Sequence, residues 1–293
     1  MRHLIKCFVF VCLLALTACG GGKTKGNRVV TVTIEPQRYF AEKIAGDKFD
    51  IHCIVPAGQS PETYDPTPGQ MVEIGQSLAY LRIGYIGFEQ VWMKSIQDNN
   101  PDLEIVDLSS GFELITNELH EHEHHEGHHH HGVDPHIWSS ISGAQVIARN
   151  MVEAFVRLDP ENRDYYQANY EMLAKEITAT GEAVASLLQP IRGRVFIIYH
   201  PALTYFAKEF GFKQLCIEME GKEPSPAELK RLVETARREE CKVVFVQQEF
   251  DRKNAELIAE ETGCLLEPIN PLAYDWHHEM IHIAKTLADG QTD

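Results

Sequence analysis

Cysteine pairs at metal-finger spacing are absent: none of the seven cysteines forms a C-x-x-C pair. Beyond Cys19 only Cys53, Cys216, Cys241 and Cys264 remain, each in or beside an apolar, strand-like run. They read as buried free thiols, which argues against both a disulfide framework and a thiolate metal centre. Positive charge is also scarce, with 27 Lys and Arg against 43 Asp and Glu and a formal net charge of -16. Such a balance argues against a nucleic-acid partner and fits a cationic ligand, although net charge mainly reports solubility. After the first residues no apolar run is long enough to span a bilayer.

The N-terminus has a pattern of its own. Arg2 and Lys6 precede an apolar stretch from Phe8 to Leu16, too short to cross a membrane, and then Leu16-Thr17-Ala18-Cys19. This reads as a lipoprotein signal peptide over 1–18, with Cys19 acylated as the new N-terminus. Residues 19–28, rich in glycine, would be a flexible tether. Losing Arg2 and Lys6 takes the charge from -16 to -18. Export, with membrane anchoring on the periplasmic side of the envelope, is the expected localisation.

The remaining chain, about 270 residues, suits two ordinary domains or one large one. From 29 to 158 strand signals alternate with helical spacing: strands at Val29 to Ile34, Phe49 to Val55, Leu81 to Ile83 and Glu104 to Val106, helices at Gln37 to Ala45, Met71 to Ala79 and Phe88 to Gln97. From Ser139 to Leu188 strand signals nearly vanish and glycine is sparse. Val146, Ile147, Met151, Val152, Phe155 and Val156 recur at helical spacing. Asp159-Pro160 breaks that span, because proline disfavours helix in the residue before it and suits the first turn of the next. The segment 159–190 is therefore a connecting helix, whose piece from about Glu161 to Leu188 is about 40 Å long at 1.5 Å per residue. From 191 to 293 the strand–helix rhythm returns. Ser225-Pro226-Ala227-Glu228 forms a capping box there, and a final helix runs from about Trp276 to Leu287. The expected fold is α/β: two lobes, each a parallel sheet flanked by helices, joined by one long rigid helix, with the ligand site in the cleft between them.

Three candidate ligands sit in loops after strand signals, where open α/β sheets present their binding residues. Glu62 lies in Pro61-Glu62-Thr63-Tyr64-Asp65-Pro66, His136 in Asp134-Pro135-His136-Ile137-Trp138, and His200 in Tyr199-His200-Pro201-Ala202-Leu203. Neutral imidazole nitrogen and carboxylate oxygen are donors that zinc accepts at about 2.0 to 2.2 Å, and manganese tolerates the same set. Singly, each residue would serve equally well as a helix cap or a turn residue.

With these motifs the sequence resembles the zinc/manganese solute-binding proteins of bacterial ABC importers, from about Val29 to the C-terminus. Asp134 to Trp138 and Tyr199 to Ala207 match two metal motifs of that family, supported by Gly87 to Trp92, Glu223 to Leu229 and Asn270-Pro271-Leu272. The resemblance implies two α/β lobes on a long helix with little hinge closure, and a non-enzymatic, monomeric carrier. Such a carrier captures zinc and hands it to a permease in the cytoplasmic membrane; manganese or iron(II) is the alternative cargo. The chain departs from the pattern twice. Glu62 stands where a histidine is usual, and Asn270 stands where a carboxylate usually follows the last strand, with Glu267 a weaker substitute. A Glu62, His136, His200, Asn270 site would leave a dication with about one net positive charge.

Two histidine features stand apart. His120, His122, His124, His125, His128, His129, His130 and His131 crowd a twelve-residue run with glutamates. Such a run cannot pack a core; it reads as a mobile loop of weak, exchangeable zinc sites, or as a solvated insertion. His278-Glu279-Met280-Ile281-His282 satisfies H-E-x-x-H on a helix, the pattern of zinc peptidases. Only eleven residues follow His282, none Glu or His, so a third ligand is missing. Met280, Ile283 and Leu287 should then face the core with the histidines outward. Carrier, zinc hydrolase and metal-dependent adhesin are the three classes the sequence admits.

Overall fold

The computed structural model describes residues 28–116, 132–218 and 222–290. The signal segment 1–18, Cys19 and the run His120 to His131 lie outside the described residues. The first lobe holds β1 (Val29–Val32), α1 (Glu35–Ala45), β2 (Asp50–Cys53), α2 (Pro68–Gly75), β3 (Ala79–Arg82), α3 (Gly87–Asn99) and β4 (Glu104–Asp107). Helices α4 (Ile141–Leu158) and α5 (Arg163–Leu188) follow. The second lobe comprises β5 (Val195–Ile198), α6 (Thr204–Phe210), β6 (Lys213–Cys216), α7 (Pro226–Arg238), β7 (Val243–Gln247), α8 (Lys253–Thr262), β8 (Leu265–Ile269) and α9 (Trp276–Asp289).

Both sheets are parallel and wound alike, in the orders β2-β1-β3-β4 and β6-β5-β7-β8. Inner strands β1, β5 and β7 are buried at every position, because helices cover both faces and alternation disappears. Pro268 falls in β8, at the sheet edge, where a missing N–H costs no ladder bond.

The bounds differ from the sequence expectation where polar caps outweigh apolar spacing. Helix α2 begins at Pro68 rather than Met71 and stops at Gly75 rather than Ala79. Thr67 and Gln70 close a capping box around its start, Gln70 N donating to Thr67 Oγ1 at 3.3 Å and Thr67 N to Gln70 Oε1 at 2.9 Å. Ala79 already belongs to β3, because Leu78 N donates to Val29 O at 2.8 Å and starts that strand. Strand β1 ends at Val32 because the N–H groups of Thr33 and Ile34 both turn to Gln37 Oε1, at 3.0 Å each. Of the four thiols, Cys241 and Cys264 are buried as expected, whereas Cys53 and Cys216 are only half-buried.

The break before α5 is built on Asp159. Its Oδ2 accepts from Arg28 Nη1 at 2.7 Å, Asn162 Nδ2 at 2.8 Å and Tyr166 Oη at 2.6 Å. Burial alone would raise this carboxyl, but the donors from Tyr166, Arg28 and Asn162 hold it below the usual range. Helix α5 then spans 26 residues, about 39 Å at 1.5 Å per residue. Tyr166, Leu173, Ile177, Thr180, Val184 and Leu188 form its buried stripe. The helix packs on α1 and α4 of the first lobe and on α9 of the second. Glu176 accepts from Tyr39 Oη and from Lys43 Nζ (2.6 Å), and Thr180 Oγ1 lies 2.6 Å from His277 Nδ1. One apolar core therefore continues from the first sheet through α5 into the second lobe, while a smaller cluster lies beneath α7 and α8.

Glu89, at the start of α3, is 2 % exposed and accepts from Thr33 Oγ1, Ile83 N (3.1 Å) and Gly84 N. Burial raises its pKa to about 7 despite these donors. A carboxyl with a raised folded pKa holds its proton more tightly in the native state, so its contribution is full below the unfolded value and is lost as pH rises through 7. Denaturant unfolding at pH 5 and pH 7.5 should show the wild type losing on the order of 3 kcal/mol more than Glu89→Gln. Parallel pH profiles for the two proteins would contradict the assignment.

Candidate metal centre

Each candidate side chain enters the cleft from a different loop, and local hydrogen bonds aim it. Asp134-Pro135-His136 folds as a tight turn in which Asp134 Oδ1 accepts from His136 N at 2.9 Å and lies 2.8 Å from His136 Nδ1. At and just before Asp134 the chain is pinned: Thr116 and Val133 form an antiparallel bridge, and Asp134 N donates to Ile115 O at 2.9 Å. His200 follows β5 directly. Its Nδ1 is 3.0 Å from Glu218 Oε2, at the end of β6, and its backbone is held by Gln247, whose Nε2 donates to His200 O at 2.7 Å. Glu62 hangs from the loop after β2, with Oε2 accepting from Gly87 N at 3.0 Å. Gly87 has no substitute here: a Cβ would stand 2.5 Å from Glu62 O and 2.7 Å from Glu62 Oε2.

Glu62, His136 and His200 converge, each with a donor atom within 4.8 Å of the others. No other group of three or more His, Cys, Asp or Glu meets that test among the described residues. The two imidazoles meet at Nε2, 3.2 Å apart, with Nδ1 of each facing a carboxylate. That arrangement puts the Nδ1 proton on the carboxylate side and leaves Nε2 to bind a metal. Two ligands at about 2.05 Å on a tetrahedral ion stand about 3.3 Å apart, so the spacing already fits a first-row dication. The cavity at this point is about 20 Å³, room for one ion or water.

The electrostatics ask for a cation. Two Nε2 lone pairs at 3.2 Å repel unless a cation or a proton lies between them. Burial opposes charge on His136, but Asp134 foremost, then Glu62 and Glu218, outweigh it and raise its pKa. Asp134 in turn is raised by burial and lowered more by its attraction and hydrogen bonds to His136. Glu62 Oε1 is buried with no hydrogen-bond partner. A buried carboxylate oxygen without a donor costs free energy that a metal ion would recover. The residues present therefore fit a divalent ion as cargo.

Asn270 does not join this group. It follows β8, but its Oδ1 accepts from Leu272 N at 3.1 Å, and the neighbours Pro271 and Leu272 line the cavity instead. Sequence reasoning passed over Glu218, in the loop after β6, Gln247, the last residue of β7, and Glu249 and Phe250 just beyond it. Their signal was the same strand-end position that marked His200. Phe250 stacks on His200 with ring centroids 5.3 Å apart and planes 15° from parallel. On α9, Met280, Ile283 and Leu287 are buried as expected and His278 is exposed. Glu279 Oε1 accepts from Asn270 N at 2.7 Å, which ties it to the loop after β8.

Replacing Glu218 by Gln removes the negative charge of the acceptor that fixes the His200 tautomer and leaves an amide that can turn its NH2 to Nδ1 instead. Loss of such a partner should weaken metal binding about 10- to 100-fold with unfolding of the apo protein little changed, as calorimetric titration would read. An unaltered affinity would mean that His200 needs no orienting carboxylate.

Residues 30–290 match the family described as zinc-uptake complex component A, periplasmic. The high-affinity zinc uptake system protein ZnuA of Bacillus subtilis (strain 168) is 31% identical over 279 residues, covering 90% of this chain and 86% of its own. The manganese ABC transporter substrate-binding lipoprotein PsaA of Streptococcus anginosus is 26% identical over 271 residues, 87% of this chain and 84% of its own. Among solved structures, a zinc-bound ZnuA deletion mutant superposes with TM-score 0.82 at 34% identity, covering 91% of this chain and 99% of that one. With the matching fold and a ligand cluster between the lobes, the chain belongs to the zinc-uptake component A family of metal-binding proteins that serve ABC importers.

Proposed function

We propose that this chain captures one divalent ion, zinc in the first place, through Glu62, His136 and His200, and delivers it to the permease of an ABC importer in the cytoplasmic membrane. The observation that carries the reading is the convergence of these three side chains, two of them imidazoles from opposite lobes, in a cleft with room for one ion. It is a carrier and not an enzyme: the H-E-x-x-H helix has its glutamate tied to the loop after β8. Cys19 anchors the protein by lipid, as the word lipoprotein in the name of the streptococcal relative supports, and 19–28 tethers it. The protein works as a monomer of two lobes, 29–158 and 191–293, on the connector 159–190.

Zinc is favoured by the relative with the higher identity and by the histidine run that ends five residues before His136. That run raises the local zinc concentration through weak sites, separate from the tight one. Manganese is the second reading, supported by the streptococcal relative and by the carboxylate at Glu62, a harder donor than imidazole.

Elemental analysis and calorimetry on wild type, a variant lacking 120–131, and His200→Ala test this division. One tight zinc per chain should survive loss of the run and disappear in His200→Ala, while only the wild type and His200→Ala keep weak sites. Tight binding that persists in His200→Ala would move the site away from the inter-lobe cleft.

A further inference from the structure

The cluster of Glu62, His136 and His200 supplies one carboxylate and leaves a fourth position open on a tetrahedral ion. Asn270 does not line the cavity, and its side-chain oxygen turns to Leu272 N. Gln247 does not fill the open position: its Oε1 accepts from His200 N at 3.2 Å and its Nε2 donates to His200 O at 2.7 Å, so both ends of the amide are spent.

Glu249 is the remaining charged side chain on the cavity wall. It sits in the loop that leaves the carboxyl end of β7, next to Phe250, whose ring stacks on His200. Its Oε1 is buried and has no hydrogen-bond partner, as is true of Glu62 Oε1 across the same cavity. Two buried carboxylate oxygens without donors facing one small space are costly, and a single cation between them satisfies both.

We propose that Glu249 is the fourth protein ligand, closing onto the ion by side-chain rotation from just outside the tight cluster. This rests on the metal-capture reading above. The completed set is two imidazoles and two carboxylates, which makes the site neutral with a dication bound. A second carboxylate hardens the site, so zinc is accepted while manganese and iron(II) gain more from Glu249 than zinc does.

The test uses the full chain, with a competing chelator that empties weak sites, titrated with zinc and with manganese. Glu249→Gln should bind zinc at least about tenfold more weakly, and manganese more weakly still. Infrared difference spectra should show two carboxylates perturbed by zinc in the wild type and one in the variant. Apo Glu249→Gln should unfold at the same temperature as the wild type or higher, because a half-buried carboxylate with one unpartnered oxygen is gone; a purely structural role would lower it. Wild-type affinity and two perturbed carboxylates in Glu249→Gln, with the tight ion lost in His200→Ala, would overturn the role of Glu249 and leave the site intact. Tight binding retained in His200→Ala would overturn the site itself.

Discussion

Everything at this centre depends on holding two imidazoles from different lobes 3.2 Å apart. A displacement of one lobe by an ångström would break that meeting, so the lobes cannot be left to a flexible linker. Trp138, two residues after His136, is the link between them. Its Nε1 donates to Pro271 O at 2.9 Å, in the loop after β8, and its carbonyl accepts from Trp276 Nε1 at 2.6 Å, at the start of α9. Trp276 in turn packs on Phe40 of α1, with ring centroids 5.3 Å apart. Both indoles are buried with their N–H groups satisfied, which is the condition for a tryptophan to be a rigid strut rather than a defect. Tyr205 adds a second tie, donating to Asp134 O at 2.8 Å and accepting from Ile115 N at 2.9 Å. The shared core and the long helix α5 thus fix the lobes by packing, and the metal centre inherits that fixity.

Held this way, the imidazoles act as a preset pair whose charge state is governed by carboxylates that do not touch the ion. Asp134 and Glu218 each hold an Nδ1, and Asp134 foremost, then Glu62 and Glu218, raises the pKa of His136 against the opposing effect of burial. Metal and proton compete for the same place, so capture releases a proton and weakens as the pH falls. The field that retains the cargo is also the field that must be neutralised before the cargo leaves.

Much of this was legible in the sequence. The two α/β halves, the break at Asp159-Pro160 and the long helix follow from periodicity and proline chemistry, and the structure has them within a few residues. Glu62, His136 and His200 were all marked by their place in loops after strand signals. The misses share a cause. Helix α2 was placed three residues late because Thr67 and Gln70, both polar, set its start while the apolar spacing ran on into β3. Asn270 was assigned by matching a family position, which fixes where the backbone passes and not where the side chain points; its oxygen accepts from Leu272 N, two residues on. Glu249 and Glu218 carried no motif at all. Only the folding of four strand ends into one cleft shows which carboxylates share it.

Selectivity then has a physical location. The two nitrogens are fixed by a buried frame and set the span an ion must match, a span that first-row dications of similar size all accept. The carboxylates differ in kind: Glu62 reaches the cleft from a loop braced by one bond to Gly87 N, and it keeps one oxygen unsatisfied. A donor held by one bond can adjust to bond lengths and coordination numbers that a fixed imidazole cannot. Rigid nitrogen therefore decides that a transition-metal dication binds, and adjustable oxygen decides among them. With a carboxylate at Glu62 in place of a third imidazole, that second decision moves toward harder ions.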